Sequence, residues 1–217
     1  MSADAHSPTR KAMLAQLAAY GITDARVLAA MAAVPRERFV PRELAARAYA
    51  DTPLPIGEGQ TISQPYIVAR MAQLAAIGQK DRVLDVGTGS GYGAAVLAGL
   101  AAEVYSIERH ASLLEAARRA LADCGIRTVR LRCGDGSLGW PEAAPFDAII
   151  VAAAAPHVPA ALLDQLAPGG RLIAPIGPPG QERLVRSLVR KGGELEQAFF
   201  DAVAFVPLIG AEGQAPK

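Results

Sequence analysis

Apolar positions recur at helical spacing in the first third of the chain. Residues 9–20 show this spacing and end at Gly21, and a second such pattern follows Thr23, which can cap it. Four prolines then interrupt the chain, so residues 34–60 are predicted to be mostly loop, with one short helix over 42–48. A third helix is predicted after Ser63, with Pro65 in its first turn.

After Gly78 short apolar runs alternate with helical patterns. The runs are 83–86, 104–107, 129–131, 148–151 and 171–174, and the helical patterns are 91–101, 111–123 and 159–166. This alternation predicts right-handed crossovers and a mostly parallel sheet covered on both faces. Two further runs, 184–190 and 195–208, are separated by Lys191-Gly-Gly193 and predict an antiparallel edge. The predicted class is therefore α/β, a Rossmann-like doubly wound sheet with an N-terminal helical extension.

Composition and charge narrow the classes of partner. The chain has 217 residues, which suits a single domain, and 22 basic against 21 acidic residues, for a net charge of +1. No basic tract exceeds two residues, so no nucleic-acid partner is expected. The longest uncharged apolar stretch, 148–163, is too short to span a bilayer, and the N-terminus is polar. We expect a cytoplasmic protein without a membrane anchor, and we take a monomer as the default.

The densest chemical signal is a strand that leads directly into a glycine-rich turn, Val83-Leu-Asp-Val-Gly-Thr-Gly-Ser-Gly-Tyr-Gly-Ala94. Glycines allow the backbone to approach a ligand closely, and amides at the start of a helix can face it. The dinucleotide fingerprint matches formally at Gly89, Gly91 and Ala94. In the register that starts at Gly87, however, Tyr92 replaces the third glycine. The alternating glycines fit an S-adenosylmethionine loop better, within a Rossmann-like methyltransferase fold.

Acidic residues follow the next two predicted strands. Glu108 ends the second strand, 21 residues after Gly87, where a carboxylate can accept hydrogen bonds from both hydroxyls of a ribose. Asp135 follows the third strand and can accept from an adenine amino group, while Gly136 keeps the wall of the site thin. Successive strands deliver their carboxyl ends around one crevice, so these groups are expected to lie together.

Other chemistries lack their signatures. The fourth strand ends in Val151-Ala-Ala-Ala-Ala-Pro156, without the acidic or amide residue, prolines and aromatic of amino-directed DNA methyltransferases. Neither cysteine follows a proline, as a cytosine-C5 nucleophile would, and neither lies in a CxxC motif. The three histidines show no ligand spacing, so surface or loop positions are expected for them and no metal site is predicted.

The segment before the sheet holds a further candidate, Gln60-Thr-Ile-Ser-Gln-Pro-Tyr66. Ser63 stands where a helix N-cap is expected, and serine is a favoured cap. A catalytic position is the alternative, and the residues by themselves leave both interpretations open.

Taken in order along the chain, the motifs resemble the protein-L-isoaspartate (D-aspartate) O-methyltransferases. The matching segments are Val34–Pro41, Leu54–Gly57, Gln60–Tyr66, Val83–Ala94, Ile107–Arg109, Gly134–Gly136, Phe146–Val151, Gly169–Arg171 and Phe205–Leu208. The glycine loop is shared by many methyltransferases, whereas the Thr61-Ile-Ser63 block and Phe205–Leu208 are specific to this family. The resemblance covers residues from about 10 to 208.

The resemblance implies an activity and a set of site residues. The activity is methyl transfer from S-adenosylmethionine, with S-adenosylhomocysteine as product, to the free carboxylate of L-isoaspartyl and less well D-aspartyl residues in damaged proteins. Ser63 is implied as the catalytic residue, and Thr61, Ile62 and Gln64 as substrate-pocket residues. The implied methyl-donor site consists of Asp85, Gly87, Thr88, Gly89, Gly91, Glu108, Arg109, Asp135 and Gly136.

The implied domain is a single unit over 1–217, with three parts. Residues 1–78 form the helical and substrate-site segment, 79–208 form the cofactor-binding sheet, and 209–217 are expected to be a disordered tail. Two alternatives are a carboxylate methyltransferase for one dedicated biosynthetic peptide and an inactive S-adenosylmethionine-binding module.

Overall fold

The computed structural model describes residues 7–189 and 192–215. Its helices are α1 (Ser7–Ala19), α2 (Ala25–Ala33), α3 (Pro65–Ala75), α4 (Tyr92–Ala98), α5 (Ala111–Asp123) and α6 (Ala160–Leu163). Its strands are β1 (Leu54–Gly57), β2 (Gln60–Ile62), β3 (Arg82–Val86), β4 (Glu103–Glu108), β5 (Val129–Cys133), β6 (Phe146–Val151), β7 (Leu166–Ile176), β8 (Arg183–Val189) and β9 (Leu195–Ala202). Short 3₁₀ turns cover Arg36–Phe39, Arg42–Arg47, Gly136–Leu138 and Pro141–Ala143.

Seven strands form one sheet in the order β5-β4-β3-β6-β7-β8-β9. The first five strands in this order pair in parallel, and β8 and β9 pair antiparallel at one edge. The chain leaves β3 for β4 on one side and later returns to β6 on the other. This reversal creates a crevice at the carboxyl ends of β3 and β6. The α/β class with an antiparallel edge is confirmed.

Side chains of β3 alternate between two apolar clusters on opposite faces of the sheet. Val83 packs with the N-terminal helices and α4, whereas Leu84 and Val86 pack on the other face with Ile149 and Val151. Because period-two alternation places Asp85 on the face of Val83, its carboxylate lies on the side of the sheet that α3 and α4 cover.

The region preceding the sheet differs in detail from its prediction. α2 is capped by Asp24, whose carboxylate accepts from the backbone N–H groups of Arg26 and Val27, so the expected cap at Thr23 is wrong. Within the predicted loop, β1 and β2 form an antiparallel hairpin. Its tip contains Gly57 and Gly59 at positive φ, and glycine adopts such angles at little cost. Each strand is too short to show a periodicity in the sequence.

The C-terminal residues also differ from the expected disordered tail. Residues 209–215 form a turn, in which the Gly210 N–H donates to the Gln214 carbonyl (3.2 Å) and the Gln214 N–H donates to the Leu208 carbonyl (2.7 Å). Residues 216 and 217 lie outside the described residues. The turn brings the C-terminal segment next to the end of β5.

Candidate active site

The crevice at the carboxyl ends of β3, β4 and β6 has a volume of about 1040 Å³, including space open to solvent. It is large enough for a nucleoside-sized ligand. The residues predicted for the site that line it are Thr61, Ile62, Ser63, Asp85, Gly87, Thr88, Gly89, Glu108, Arg109 and Gly136. Segments that are distant in the sequence, the Ser63 block and the glycine loop, therefore share one cavity.

The glycine loop connects β3 to α4 with its backbone turned toward the crevice. Gly87, Gly89 and Gly91 have φ values of 96°, 51° and 89°, in the left-handed region where a side chain is strained. The Gly87 and Thr88 N–H groups both donate to the Ile107 carbonyl, at 2.9 and 3.1 Å. The loop is thus fixed to the end of β4.

Glu108 is buried at the end of β4 and holds the loop from the other side. Its Oε2 accepts from the Gly89 N–H at 2.8 Å and its Oε1 accepts from the His110 N–H at 2.9 Å. Only 5% of the residue is exposed. Each carboxylate oxygen keeps a second acceptor position, so the group can still receive hydroxyl donors from a ligand.

Asp85 is the most deeply buried carboxylate of the crevice, at 3% exposure. Its Oδ2 accepts from the Ser106 hydroxyl at 2.6 Å, and Ser106 in turn lies 2.6 Å from the Thr88 hydroxyl. Burial raises the pKa of Asp85 to about 7, because the charged form loses its hydration; Ser106 opposes the shift and Glu108 adds to it. This carboxyl group therefore titrates near neutral pH.

Ser63 lies between β2 and α3 and does not cap the helix. The N-cap of α3 is Gln64, without a side-chain cap bond, and the Tyr66 N–H donates instead to Asp51 Oδ1 at 2.9 Å. Among the described residues the Ser63 hydroxyl has no hydrogen-bond partner, and Ser63 lines the crevice. The hydroxyl is therefore available to a ligand.

Comparison with known proteins assigns this chain to one family. Residues 8–213 match the family described as protein-L-isoaspartate(D-aspartate) O-methyltransferase. The chain belongs to this family. It is 56% identical over 209 residues to protein-L-isoaspartate O-methyltransferase 2 of Marinobacter nauticus, with 95% of each chain covered. It is 60% identical over 201 residues to the protein-L-isoaspartate O-methyltransferase of Methylorubrum populi, with 92% of this chain and 94% of the relative covered.

A solved structure agrees in fold with this protein-L-isoaspartate O-methyltransferase family member. It is a Plasmodium falciparum protein assigned as a protein-L-isoaspartate O-methyltransferase, crystallised in complex with S-adenosyl-L-homocysteine. The TM-score is 0.82 and the identity 27%, and the match covers 92% of this chain and 98% of that one. The family resemblance drawn from the sequence is confirmed.

Three of the predicted site residues do not line the crevice in this family member. The Gln64 side chain turns away and donates to Asp51 Oδ2 at 2.8 Å. Gly91 packs against α5, where an added Cβ would lie 3.1 Å from the Ala117 Cβ. Asp135 accepts from the Ser137 N–H, the Ser137 hydroxyl and the Ala211 N–H. These bonds occupy three of about four acceptor positions on the carboxylate.

Other residues enter the crevice without having been predicted for it. His110 lies in the loop between β4 and α5, within the expected surface or loop positions, and it also lines the crevice. Its Nε2 atom is buried without a hydrogen-bond partner among the described residues. Val206, Pro207, Leu208 and Ile209 form another wall. The family resemblance includes Phe205–Leu208 and was the one signal for this wall. Nothing in the local sequence around His110 indicates its position.

Some features are missing from the part of the chain that the structure describes. No group of three His, Cys, Asp or Glu side chains could hold a metal ion there. Cys124 is half-buried and Cys133 is exposed, both as free thiols. None of the helices within 7–189 and 192–215 is long and apolar enough to cross a membrane.

Proposed function

We propose that this chain transfers the methyl group of S-adenosylmethionine to the free carboxylate of L-isoaspartyl residues, and less well D-aspartyl residues, in damaged proteins and peptides. The proposal rests on one observation: in this member of the family, Ser63 and Glu108 line the same crevice. The relatives that match over nearly their whole length are named for this activity.

The crevice fits S-adenosylmethionine on its own geometry. Glu108 keeps free acceptor positions for the ribose hydroxyls, and the loop from Gly87 to Gly89 presents backbone rather than side chains. An added Cβ at Gly136 would lie 2.6 Å from the Val86 Cγ1, so this wall accepts only glycine. We assign the ribose to Glu108 and the adenine to the wall at Gly136, with the last acceptor position of Asp135 as a further contact.

The chemistry needs no general base. S-adenosylmethionine, when bound, supplies an electrophilic methyl group on a sulfonium. A substrate carboxyl group with a pKa of about 4 is already ionised at neutral pH, so its oxygen can form the O–CH₃ bond without losing a proton to the protein. The C–S bond breaks, and the negative and positive charges cancel. A site that aligns the two groups and limits water therefore accelerates the reaction.

Ser63 is the residue that we assign to the substrate carboxylate. Its free hydroxyl can donate a hydrogen bond and hold one oxygen while the other attacks. Thr61 and Ile62 belong to β2 of the hairpin that borders the crevice, and we assign them to the walls of the substrate cleft. Gln64 acts indirectly, through Asp51.

The decisive experiment uses pairs of peptides that are identical except for Asp or L-isoaspartate at one position, in several unrelated flanking sequences. With labelled S-adenosylmethionine we expect strong labelling of each isoaspartyl peptide, weaker labelling of a D-aspartyl version and almost none of the Asp version. Labelling in only one flanking sequence would favour a dedicated biosynthetic substrate. Labelling of no peptide, with retained binding of S-adenosylhomocysteine, would favour an inactive binding module.

The assignment of the methyl-donor site is checked by Glu108→Gln. Gln has one acceptor oxygen and no charge, so binding of S-adenosylhomocysteine should weaken by about 1.5 to 3 kcal/mol, the range for hydrogen bonds to a charged group. Calorimetry measures this, with Glu142→Gln as control because Glu142 is exposed and pairs with Arg132, away from the crevice lining. Unchanged affinity for S-adenosylhomocysteine in Glu108→Gln would show that Glu108 does not bind this ligand. A cytoplasmic location and the lack of a nucleic-acid partner stay predictions.

A further inference from the structure

Arg36 is a fully buried cation that has no ion-pair partner in the part of the chain that the structure describes. Its exposure is 0%, and among the described residues its guanidinium donates to backbone carbonyls and forms no ion pair with a carboxylate. Burial lowers the pKa of Arg36, and this is opposed by Tyr92 and by the more distant charge of Asp51. A buried charge of this kind is costly unless it is well hydrogen-bonded, so its position calls for an explanation.

The hydrogen bonds of Arg36 lead to the Ser63 segment. Its Nη2 donates to the Ser63 carbonyl at 2.9 Å and its Nε donates to the Ala48 carbonyl at 2.7 Å. The guanidinium carbon lies 4.7 Å from the centre of the Tyr92 ring, and Tyr92 lines the crevice. Arg36 thus connects the backbone of Ser63 to the loop at Ala48 and to the start of α4.

Asp51 fixes the residues that follow Ser63. Its two oxygens accept from the Gln64 side-chain amide at 2.8 Å and from the Tyr66 N–H at 2.9 Å. Four consecutive residues, 63 to 66, are therefore held at three points by two charged side chains from the preceding loop. The Ser63 hydroxyl itself has no partner among the described residues.

We propose that Arg36 and Asp51 are positioning residues that fix the Ser63 hydroxyl in the orientation the substrate carboxylate requires. The planar guanidinium offers donors in a fixed fork, so it determines the direction of the Ser63 peptide group as well as its location. The backbone between β2 and α3 is otherwise a short connection without ladder hydrogen bonds at Ser63. A misplacement of about 1 Å at a reacting group is enough to slow an aligned reaction strongly.

This inference rests on the proposed function, and a double-mutant cycle with Ser63 tests it. Arg36→Met should lower kcat/KM for an isoaspartyl peptide about 10- to 100-fold, with the affinity for S-adenosylhomocysteine changed less than about threefold. In a Ser63→Ala background the same change should cost less than about threefold, because the group that Arg36 positions is gone. Additive losses in the two backgrounds would overturn the proposal.

Arg36→Lys distinguishes the contribution of the planar guanidinium donors from that of the positive charge. Lysine keeps the cation but lacks the planar pair of donors, so it should restore less than a tenth of the lost activity. Full recovery in this variant would show that charge alone matters and would overturn the positioning role. If Arg36→Met does not fold, the cycle is run with Asp51→Asn, which places an amide donor against Gln64 or Tyr66 and should cost about 3- to 10-fold with the same non-additivity.

Arg26→Met is the control, at an arginine that is exposed rather than buried. Arg26 also donates to two carbonyls, of Ile77 at 2.5 Å and Leu100 at 2.7 Å, and it does not line the crevice. Its loss should lower the melting temperature and leave kcat/KM within about twofold when assayed well below that temperature. An equal activity loss in Arg26→Met at matched stability would contradict a specific role for Arg36. An inactive wild type would reject the proposed function instead, since that arm does not involve Arg36.

Discussion

Ser63 differs from a helix cap in the direction of its hydroxyl group. A capping serine accepts from the N–H groups of the first helical turn, whereas here Asp51 accepts from the Tyr66 N–H and Ser63 lines the crevice. The structure thereby excludes the capping interpretation that the sequence left open, and the role of Ser63 toward a ligand stays a proposal.

Ser63→Ala should fold normally, bind the methyl donor and methylate more slowly. Loss of one hydrogen bond to a charged carboxylate predicts a decrease in kcat/KM of about 10- to 100-fold. Thermal melting and calorimetry with S-adenosylhomocysteine serve as controls, and both should match the wild type. Wild-type turnover together with a melting temperature several degrees lower would contradict the substrate-positioning role and leave Ser63 a purely structural one.

Asp85 makes stability depend on pH in a defined direction. Its pKa in the folded protein, about 7, is higher than the ordinary value of 3.8, so between these values the folded state holds the proton more tightly than the unfolded state. The stabilisation it contributes is present below about pH 4 and is lost as the pH rises through about 7.

We therefore expect Asp85→Asn to lose less stability between pH 5 and pH 8 than the wild type does, by about 1 to 4 kcal/mol. Asparagine can still accept from Ser106 but has no proton to lose. Urea unfolding of both proteins without ligand measures this difference. Parallel pH profiles would show that Asp85 is ionised throughout this range in the folded protein.

At the scale of elements, two segments complete the crevice, one that precedes the sheet in the chain and one that follows it. The β1–β2 hairpin reaches α5 at its tip, where Glu58 Oε1 accepts from the Ser112 hydroxyl at 2.6 Å. The C-terminal turn reaches the end of β5, where the Ala211 N–H donates to Asp135 Oδ2 at 2.7 Å. Hydrogen bonds from this turn and from Ser137 hold the pKa of Asp135 below its usual value, although burial acts to raise it.

Gly210→Ala should disturb the adenosine end of the crevice. A Cβ at this position would overlap the Asp135 Oδ1 and the Ser137 Oγ, so the turn must move away and take the wall at Ile209 with it. We expect the affinity for S-adenosylhomocysteine to fall about tenfold, consistent with the cost of overpacking by one methyl group. Gly192→Ala is the control, since a Cβ there meets nothing within 4 Å. Equal affinities for S-adenosylhomocysteine in the two variants would show that the C-terminal turn does not contribute to the binding site.

For the whole molecule, the N-terminal helices and the sheet share one apolar cluster. It joins Met13 and Leu17 of α1 to Val83 of β3 and to Leu184 of β8. A segment that buries its apolar face in the same core as the sheet is not expected to fold separately. On this basis we propose that the chain acts as one domain.

We also expect a monomer in solution. The large exposed apolar side chains among the described residues are few and belong to three separate places: Tyr20 after α1, Leu138 after β5, and Leu195 and Phe199 on β9. A stable dimer buries about 800 Å² on each partner around an apolar centre. Light scattering should give a mass near 22.5 kDa at all concentrations tested. A mass of twice this value would contradict the expectation.

The sequence determined the α/β class with its antiparallel edge, and the part of the site that follows from the parallel strands. β3, β4 and β6 are buried runs separated by helical patterns, and α5 was predicted with its observed bounds, 111–123. The glycine loop and Glu108 could be assigned because they follow directly on buried strands, and parallel strands present their carboxyl ends together. These features depend on local periodicity, which a sequence displays.

Only the tertiary structure decided the contacts made across long separations. Arg36 meets Ser63 across 27 positions and Asp135 meets Ala211 across 76, and no local pattern encodes either pair. Whether Ser63 caps α3 likewise depended on a residue outside the segment, because Asp51, 15 positions before Tyr66, accepts from the Tyr66 N–H. The role of a buried charge or of a free hydroxyl depends on its neighbours in space. Packing brings those neighbours together from segments whose local sequences do not indicate the contact.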